Sequence, residues 1–160
     1  MNPNLSKSAK RVQDFLLAKG FSCDVRELPS STRTAQEAAD SIGCEVCQIA
    51  KSLIFRERES NNPILVIASG SNRVDVLKIE KVFDLKIDKA DGNYVKDRIG
   101  FAIGGVPPAG HKETILTILD IDLKRYEEIW AAAGSPFAVF KLNPTDLEQL
   151  TGGKWVDLAE

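Results

Sequence analysis

The stretch SLIFRERESNNPILVIA, residues 52–68, decides the fold class of this chain. Its two apolar runs, residues 52–56 and 64–68, are rich in the branched and aromatic side chains that favour β-strands. Residues 59–63 between them contain serine, two asparagines and proline, which are typical of turns. Two such runs joined by a turn predict a β-hairpin, and the protein is therefore expected to contain a sheet.

Helical and strand patterns alternate on both sides of this hairpin. Residues 5–19 carry apolar side chains at helical spacing, and residues 21–28 roughly alternate and predict a strand. Thr34, with Glu37 three residues later, forms a capping-box pattern that predicts a helix ending at Ile42. These elements place a helix, a strand and a second helix before the hairpin.

The last third of the chain repeats this interleaving. Residues 114–120 and 138–142 predict strands, residues 122–133 a helix, and residues 155–158 an edge strand. Asn143 and Pro144 are an N-cap and a first-turn proline for a helix ending near residue 151. Together the patterns predict an α+β (mixed α/β) fold with a mixed sheet, in a single domain spanning residues 1–160.

Composition narrows the class of function. The chain has 160 residues, 43% of them hydrophobic and 28% charged, which is typical of a globular domain. A net charge of −2 argues against a dedicated duplex-DNA binder, although contact with one end of a nucleic acid needs few positive charges. Short apolar runs, a polar and basic N-terminus and three cysteines predict a cytoplasmic protein with no membrane partner.

The pair Cys44-x-x-Cys47 raises the possibility of metal or redox chemistry. Cys23 and His111 are the residues that would complete four zinc ligands. Structural zinc sites usually draw on two close ligand pairs, however, and a redox motif usually follows a strand directly. Small buried helical cysteines are therefore the favoured interpretation, and no metal is expected.

The segment GGVPPAGH, residues 104–111, combines three glycines, two prolines and the single histidine. Its glycine pair lets a ligand approach the backbone, and its prolines hold the loop rigid, which predicts a pocket wall with N–H groups that bind an oxyanion or a carbonyl. His111 is either a general base or acid, or a loop residue that holds the turn by hydrogen bonding or faces water. The absence of a GxSxG nucleophile motif from the sequence favours the second role.

Lys51 stands at the entry to an apolar strand, where a charged side chain needs a reason. It is either a lysine that extends its ammonium group to water from a strand end or a cation at a pocket mouth, placed to hold phosphate, ribose or a developing oxyanion. The residues alone leave these two interpretations open.

Three blocks in register carry a family resemblance: CQIAKSLIFR at 47–56, FAIGGVPPAGH at 101–111 and AAAGSPFAVFKLNPTDLEQLTGGKWVDLA at 131–159. With them the chain resembles the YbaK/prolyl-tRNA-synthetase-associated domain family of trans-editing aminoacyl-tRNA deacylases. The resemblance implies a partly barrel-like sheet flanked by helices. It also implies a hydrolase that cleaves the ester between a small non-cognate amino acid and the 3′-terminal adenosine of a tRNA. The alternative is a non-catalytic module that binds tRNA or an adenosine-containing ligand.

The resemblance also implies how the site is built. No cofactor or metal is expected, and water or the neighbouring ribose hydroxyl attacks a carbonyl polarised by backbone N–H groups and a lysine. The implied partners are the tRNA acceptor end and an aminoacyl-tRNA synthetase, with no role for DNA. The implied catalytic residues are Lys51 and Gly134. The implied substrate-binding residues are Thr34, Gly104, Gly105, Val106, Pro108, Gly110, His111, Ala132 and Ser135.

One departure from the family pattern concerns the amino acid removed. Cysteinyl-specific members carry a Ser-Gly-Gly run where this chain has Ala132-Ala133-Gly134. The expected serine hydroxyl is absent there or displaced to Ser135. An alanyl, seryl or threonyl ester, or the ester of another small residue, is therefore expected as readily as a cysteinyl ester.

Overall fold

The computed structural model describes residues 5–160, which form five α-helices and one eight-stranded mixed sheet. Residues 1–4 of the predicted domain lie outside this range. The helices are α1 (Lys7–Ala18), α2 (Ala35–Ile42), α3 (Val76–Phe83), α4 (Gly92–Ile99) and α5 (Pro144–Thr151). The strands are β1 (Arg26–Glu27), β2 (Ile49–Glu57), β3 (Pro63–Ser69), β4 (Ile87–Lys89), β5 (Leu116–Asp120), β6 (Ile129–Ala132), β7 (Ala138–Leu142) and β8 (Lys154–Val156).

The predicted hairpin is confirmed and lies in the middle of the sheet. Strands β2 and β3 pair antiparallel from Ala50↔Ser69 to Arg56↔Pro63. All seven residues of β3 are buried, because both faces of this strand are covered. Leu65 and Ile67 belong to the main core, whereas the alternate residues of β3 pack in a second core that includes Ile79 of α3. The unbroken apolar run is the expected pattern for a strand buried on both faces.

The strand order is β1-β7-β6-β2-β3-β5-β8, with β4 as an additional partner of β2. Strands β4 and β6 share the edge of β2 that faces away from β3. Strand β4 pairs with residues 55–57, whereas β6 pairs with Ile49 and Ala50. A gap therefore remains in the sheet beside the middle of β2.

Helix boundaries follow the capping residues in the sequence. The side chain of Thr34 accepts a hydrogen bond from the Glu37 N–H at 3.1 Å, as the capping-box pattern predicts, and Gly43 ends α2. Asn143 caps α5 in the same way, with Pro144 as the first helical residue. The predicted helix at residues 5–19 is α1, and β8 lies at the edge of the sheet as expected.

Two of the predicted elements are wrong. The expected helix at residues 122–133 is a 3₁₀ helix at Ile121–Arg125 followed by β6, because residues 129–132 pair with both β2 and β7. The expected strand at 21–28 is reduced to β1. The Gln13 side chain donates to the Cys23 C=O and accepts from the Val25 N–H, both at 2.9 Å, so α1 rather than a strand satisfies this backbone.

Candidate functional site

A cleft opens where β6 separates from β2. Strand β6 pairs with β2 through Ile49↔Trp130 and Ala50↔Ala131 and then turns away, leaving a cavity of about 440 Å³. This volume lies in the range of small-molecule sites, roughly 300–1,000 Å³. The lining includes Lys51, Ser52 and Leu53 from β2, Thr32 to Ala35 from the loop and first turn of α2, Gly104 and Val106 from the glycine-proline loop, and Ala132 from β6.

Lys51 brings a half-buried positive charge to this cleft. The residue is half-buried in β2, and its Nζ donates to the Asn72 C=O at 3.4 Å. Burial lowers the pKa of Lys51, the positive charge of Arg73 lowers it further, and the negative charge of Asp120 opposes both effects. None of the eight ion pairs found within residues 5–160 includes Lys51. The ammonium group is therefore held by a neutral carbonyl and remains free to meet an anionic or carbonyl oxygen.

A buried carboxylate organises the turn that holds Lys51. Asp120 is 1% exposed, and one of its oxygens accepts from the Ser69 N–H at 2.9 Å and the Asn72 Nδ2 at 2.8 Å. Its other oxygen accepts from the Asp122 N–H at 3.0 Å. Asp120 and Asn72 belong to no motif in the sequence. The available sequence signal for the turn was the short run 69–72, which begins at the last residue of β3, the most buried strand.

The Gly104–Gly105 and Gly134–Ser135 loops, which the sequence predicts to line one pocket, contact each other behind the cleft. The Gly134 N–H donates to the Gly105 C=O at 2.8 Å, and the Gly105 N–H donates to the Ala102 C=O at 3.0 Å. A Cβ on Gly105 would lie 2.8 Å from the Ser135 backbone, and one on Gly134, where φ is +96°, would lie 2.6 Å from the Ser8 C=O in α1. Glycine is required for this close crossing. Both amides are engaged within the protein, so neither is free to serve as the expected oxyanion donor.

The predicted site residues fall into three groups. Thr34, Lys51, Gly104, Val106 and Ala132 line the cleft. Gly105, Gly134 and Ser135 form the crossing behind it. Pro108, Gly110 and His111 are not brought to this cleft and instead line a separate cavity of about 360 Å³ beside Phe15 and Leu150.

His111 closes its loop by a hydrogen bond. Its Nε2 lies 2.6 Å from the Pro107 C=O, and since a carbonyl only accepts, this nitrogen carries the proton. Burial lowers the pKa of His111, and the bond to Pro107 opposes that effect. The geometry matches the loop-closing interpretation of this residue.

Comparison with known proteins identifies the family. The sequence profile of the aminoacyl-tRNA editing domain matches residues 29–150, about three quarters of the chain. The chain belongs to this family.

The editing domain is similar over most of its length to three further proteins. It is 35% identical to the uncharacterized protein YwhH of Bacillus subtilis over 138 residues, which cover 86% of this chain and 87% of YwhH. It is 27% identical to a proposed Cys-tRNA(Pro)/Cys-tRNA(Cys) deacylase, EbsC, of Enterococcus faecalis over 128 residues, which cover 78% and 76% of the two chains. The crystal structure of a proposed trans-editing enzyme for prolyl-tRNA synthetase superposes with a TM-score of 0.92 at 46% identity, covering 98% and 99%.

A second cavity of about 480 Å³ adjoins the cleft of this editing domain. Six residues line both cavities: Lys51, Ser52, Leu53, Ile103, Gly104 and Val106. The second cavity adds the cations of Arg73 and Lys89 and the carboxylate of Glu160. The two cavities form one elongated cleft with Lys51 at its middle.

The cysteines of the editing domain do not form a common site. Cys44 precedes a 3₁₀ helix at Val46–Gln48 and Cys47 lies within it, so the expected helical position is wrong for Cys44. The expected burial is wrong for both, because each side chain is only partly buried. Cys23 packs against a different core cluster from Cys44. Across residues 5–160, no three His, Cys, Asp or Glu side chains are grouped to hold a metal ion. Within the same range, no helix is long and apolar enough to cross a membrane.

Proposed function

We propose that this editing domain is a trans-editing deacylase that hydrolyses the ester between a small non-cognate amino acid and the 3′-terminal adenosine of a tRNA. The observation that carries the proposal is Lys51, a half-buried ammonium group without a carboxylate partner within residues 5–160, in a cleft of ligand size. The family supports the same chemistry, as do the activities named for EbsC and for the solved relative.

Lys51 acts on the ester as a cation. Water attacks the ester carbonyl carbon, and the negative charge that develops on the carbonyl oxygen is stabilised by the Lys51 ammonium. When water attacks, its hydroxyl stays on the carbonyl carbon, the bond to the ribose oxygen breaks, and that oxygen gains the proton. The products are a free amino acid and an uncharged tRNA. The step needs no protein nucleophile.

The substrate approaches through the acceptor end of the tRNA. The exposed side chains of Arg33 and Arg73 stand at the two cavities, where they contact the terminal phosphates. Few phosphates are neutralised in this way, which suits a chain of net charge −2. The partner protein is an aminoacyl-tRNA synthetase, whose small-substrate errors need such correction, and the compartment is the cytoplasm.

A deacylation screen tests the proposal. tRNAs charged with alanine, serine, threonine or cysteine are incubated with wild type, Lys51→Ala and the control Lys141→Ala, whose lysine lies on β7 in an exposed ion pair with Glu128. We expect hydrolysis of at least one ester, a loss of at least about tenfold in Lys51→Ala and unchanged turnover in the control. Equal turnover in both variants would remove Lys51 from the mechanism. Protection of every ester instead of hydrolysis would show a binding module.

The same screen decides the amino acid. The name of EbsC points to a cysteinyl ester, whereas the run Ala132-Ala133-Gly134 lacks a hydroxyl at the cleft. We expect alanyl, seryl or threonyl esters to be hydrolysed at least as fast as the cysteinyl ester, because no serine hydroxyl is present at Ala132 or Ala133. A preference for cysteine would show that the serine hydroxyl of the family pattern is dispensable.

A further inference from the structure

The backbone of Ser52 faces the gap between β2 and β6. The Gly70 N–H donates to the Ile49 C=O and the Glu57 N–H donates to the Asn62 C=O, each at 2.8 Å, on the side where β2 pairs with β3. Because successive residues in a strand direct their backbone groups to opposite edges, the odd-numbered residues of β2 bond to β3. Ser52 therefore directs its N–H and C=O to the opposite edge.

No strand occupies that edge at Ser52. Strand β4 reaches only to the Ile54 C=O, which accepts from the Ala90 N–H at 3.3 Å. A longer parallel ladder with β6 would join the Ser52 N–H to the Ala132 C=O and the Gly134 N–H to the Ser52 C=O. The ladder ends at Ala50↔Ala131 instead, and the Gly134 N–H bonds to Gly105.

The result is a set of unpaired polar groups along the cleft. In this register the Ser52 N–H, the Ser52 C=O and the Ala132 C=O face the gap without a strand partner among residues 5–160, and none of the loop hydrogen bonds there involves them. The buried hydroxyl oxygens of Ser52 and Thr32 also lack hydrogen-bond partners within that range, and both residues line the cleft. An unsatisfied buried polar group costs roughly 1–3 kcal/mol, so the two buried hydroxyls favour a ligand at this cavity that supplies hydrogen-bond partners.

We propose that the aminoacyl end of the substrate binds in this gap as a one-residue strand. The Ser52 N–H donates to the ester carbonyl oxygen, and the C=O groups of Ser52 and Ala132 accept from the α-ammonium group. An ammonium group has three donors and no acceptor, which matches a site with two carbonyl groups and two hydroxyls nearby. The inference depends on the proposed function, since it places the same ester in the same cleft.

This placement assigns a donor that Gly105 and Gly134 do not supply. The amides of Gly105 and Gly134 are engaged, whereas the Ser52 N–H is free and directly follows Lys51 in the chain. As the water oxygen bonds to the carbonyl carbon, the oxyanion that forms accepts from the Ser52 N–H and is stabilised by the Lys51 ammonium. Collapse of this intermediate breaks the bond to the ribose oxygen, which leaves with the proton from water.

The first arm of the test changes the substrate. The most active aminoacyl-tRNA of the screen is compared with its α-hydroxy analogue, which lacks the ammonium group, and each rate is divided by the rate without protein. We expect kcat/KM for the analogue to fall by at least about tenfold, since a charge-assisted hydrogen bond contributes about 1.5–3 kcal/mol. Equal normalised rates would show that the ammonium group is not bound at the gap.

The second arm changes the donor. Ser52→Pro removes the N–H without removing a bond to β3, because that N–H points into the gap, and Ser52→Ala removes only the hydroxyl. Ser52→Ala is the reference for loss of the hydroxyl alone, and we expect kcat/KM of Ser52→Pro to lie about 100-fold or more below that of Ser52→Ala, as for other oxyanion donors. Urea denaturation of both variants checks folding.

The outcomes separate the two ideas. A wild-type protein that hydrolyses none of the esters contradicts the proposed function itself. An active wild type, with a folded Ser52→Pro equal to Ser52→Ala, overturns the donor assignment while the proposed function stands. Should Ser52→Pro fail to fold, the normalised α-hydroxy comparison decides the inference alone.

Discussion

Replacing Asp120 by asparagine should destabilise the protein and lower the pKa of Lys51 at the same time. The Asp120 carboxylate is 1% exposed and accepts from the Ser69 N–H, the Asn72 Nδ2 and the Asp122 N–H at 2.8–3.0 Å. In the Asp120→Asn variant, an NH₂ group replaces one of the two carboxylate oxygens and faces an N–H donor, with which it forms no hydrogen bond. Because the Asn72 C=O accepts from the Lys51 Nζ, a displaced Asn72 also changes the position of Lys51 in the cleft.

The magnitude follows from these contacts. A hydrogen bond to a charged group contributes about 1.5–3 kcal/mol, and asparagine loses at least one of three and weakens the others. Removing a buried charge recovers part of this loss, since an ionised carboxylate costs several kcal/mol to bury. We expect the free energy of unfolding to fall by about 2–4 kcal/mol. For a chain of this size that corresponds to a drop of about 4–16 °C in Tm.

Asp122→Asn is the matched control. Asp122 accepts from the same Asn72 amide at 2.9 Å and forms an ion pair with Arg125, but its side chain is 31% exposed. Such a partly exposed pair contributes about 0–1 kcal/mol, so the control should unfold close to the wild-type urea concentration. Equal unfolding midpoints for Asp120→Asn and Asp122→Asn would refute the assignment of Asp120 as the anchor of this turn.

The activity profile supplies a second readout. The negative charge of Asp120 raises the pKa of Lys51, so its removal lowers that pKa further. The deacylation rate that depends on protonated Lys51 should then be lost at a lower pH in Asp120→Asn than in wild type. A purely structural role for Asp120 predicts less folded protein and an unchanged pH profile.

Three further predictions follow from single residues. Gly134→Ala should lower the free energy of unfolding by at least about 3 kcal/mol, because the new Cβ would clash with the Ser8 C=O and the φ of residue 134 is positive. Gly152→Ala, where φ is also positive but no atom lies within 4 Å of the new Cβ, should lower it by only about 1 kcal/mol. Equal urea midpoints for the two variants would contradict this prediction. The pKa of His111 is lowered in the folded state, so protonation of His111 favours the unfolded state. The free energy of unfolding of the wild type should therefore fall as the pH drops below about 6.5, the pKa of histidine in an unfolded chain. Urea denaturation at pH 5–7 should show a shallower fall for His111→Gln. In steady-state kinetics, wild-type turnover should decline at high pH below the pH at which an ordinary lysine deprotonates, since burial lowers the pKa of Lys51; a constant rate up to pH 11 would contradict that role.

Elements that depend on neighbouring residues could be predicted from the sequence. The Thr34 cap, the Asn143–Pro144 start of α5 and the hairpin of β2 and β3 are confirmed because each depends on contacts within a short stretch. The segment 129–132 could not be predicted in the same way. Its apolar spacing fits a helix as well as a strand, and pairing with β2 and β7 decides between them.

The residues of the candidate site also differ in whether a local sequence signal predicts them. Lys51 and the glycine loops stood out because a charge next to an apolar run and a glycine-proline cluster are unusual locally. Asp120 and Asn72 did not stand out, because their role depends on a contact 48 residues apart in the chain. His111 stood out for its rarity, yet its cavity lies away from Lys51.

By itself the sequence determined the fold class, most of the capped helices, the central hairpin and the family resemblance, since these follow from side-chain patterns over short ranges. The tertiary structure alone decided that β6 leaves β2 after Ala50, that the Gly134 N–H turns to Gly105, and that the backbone of Ser52 faces an open gap. Backbone hydrogen bonds are the same for every residue type, so their pairing across the sheet carries almost no signature in the sequence. The chemistry assigned to that gap therefore depends on sheet register rather than on any single unusual residue.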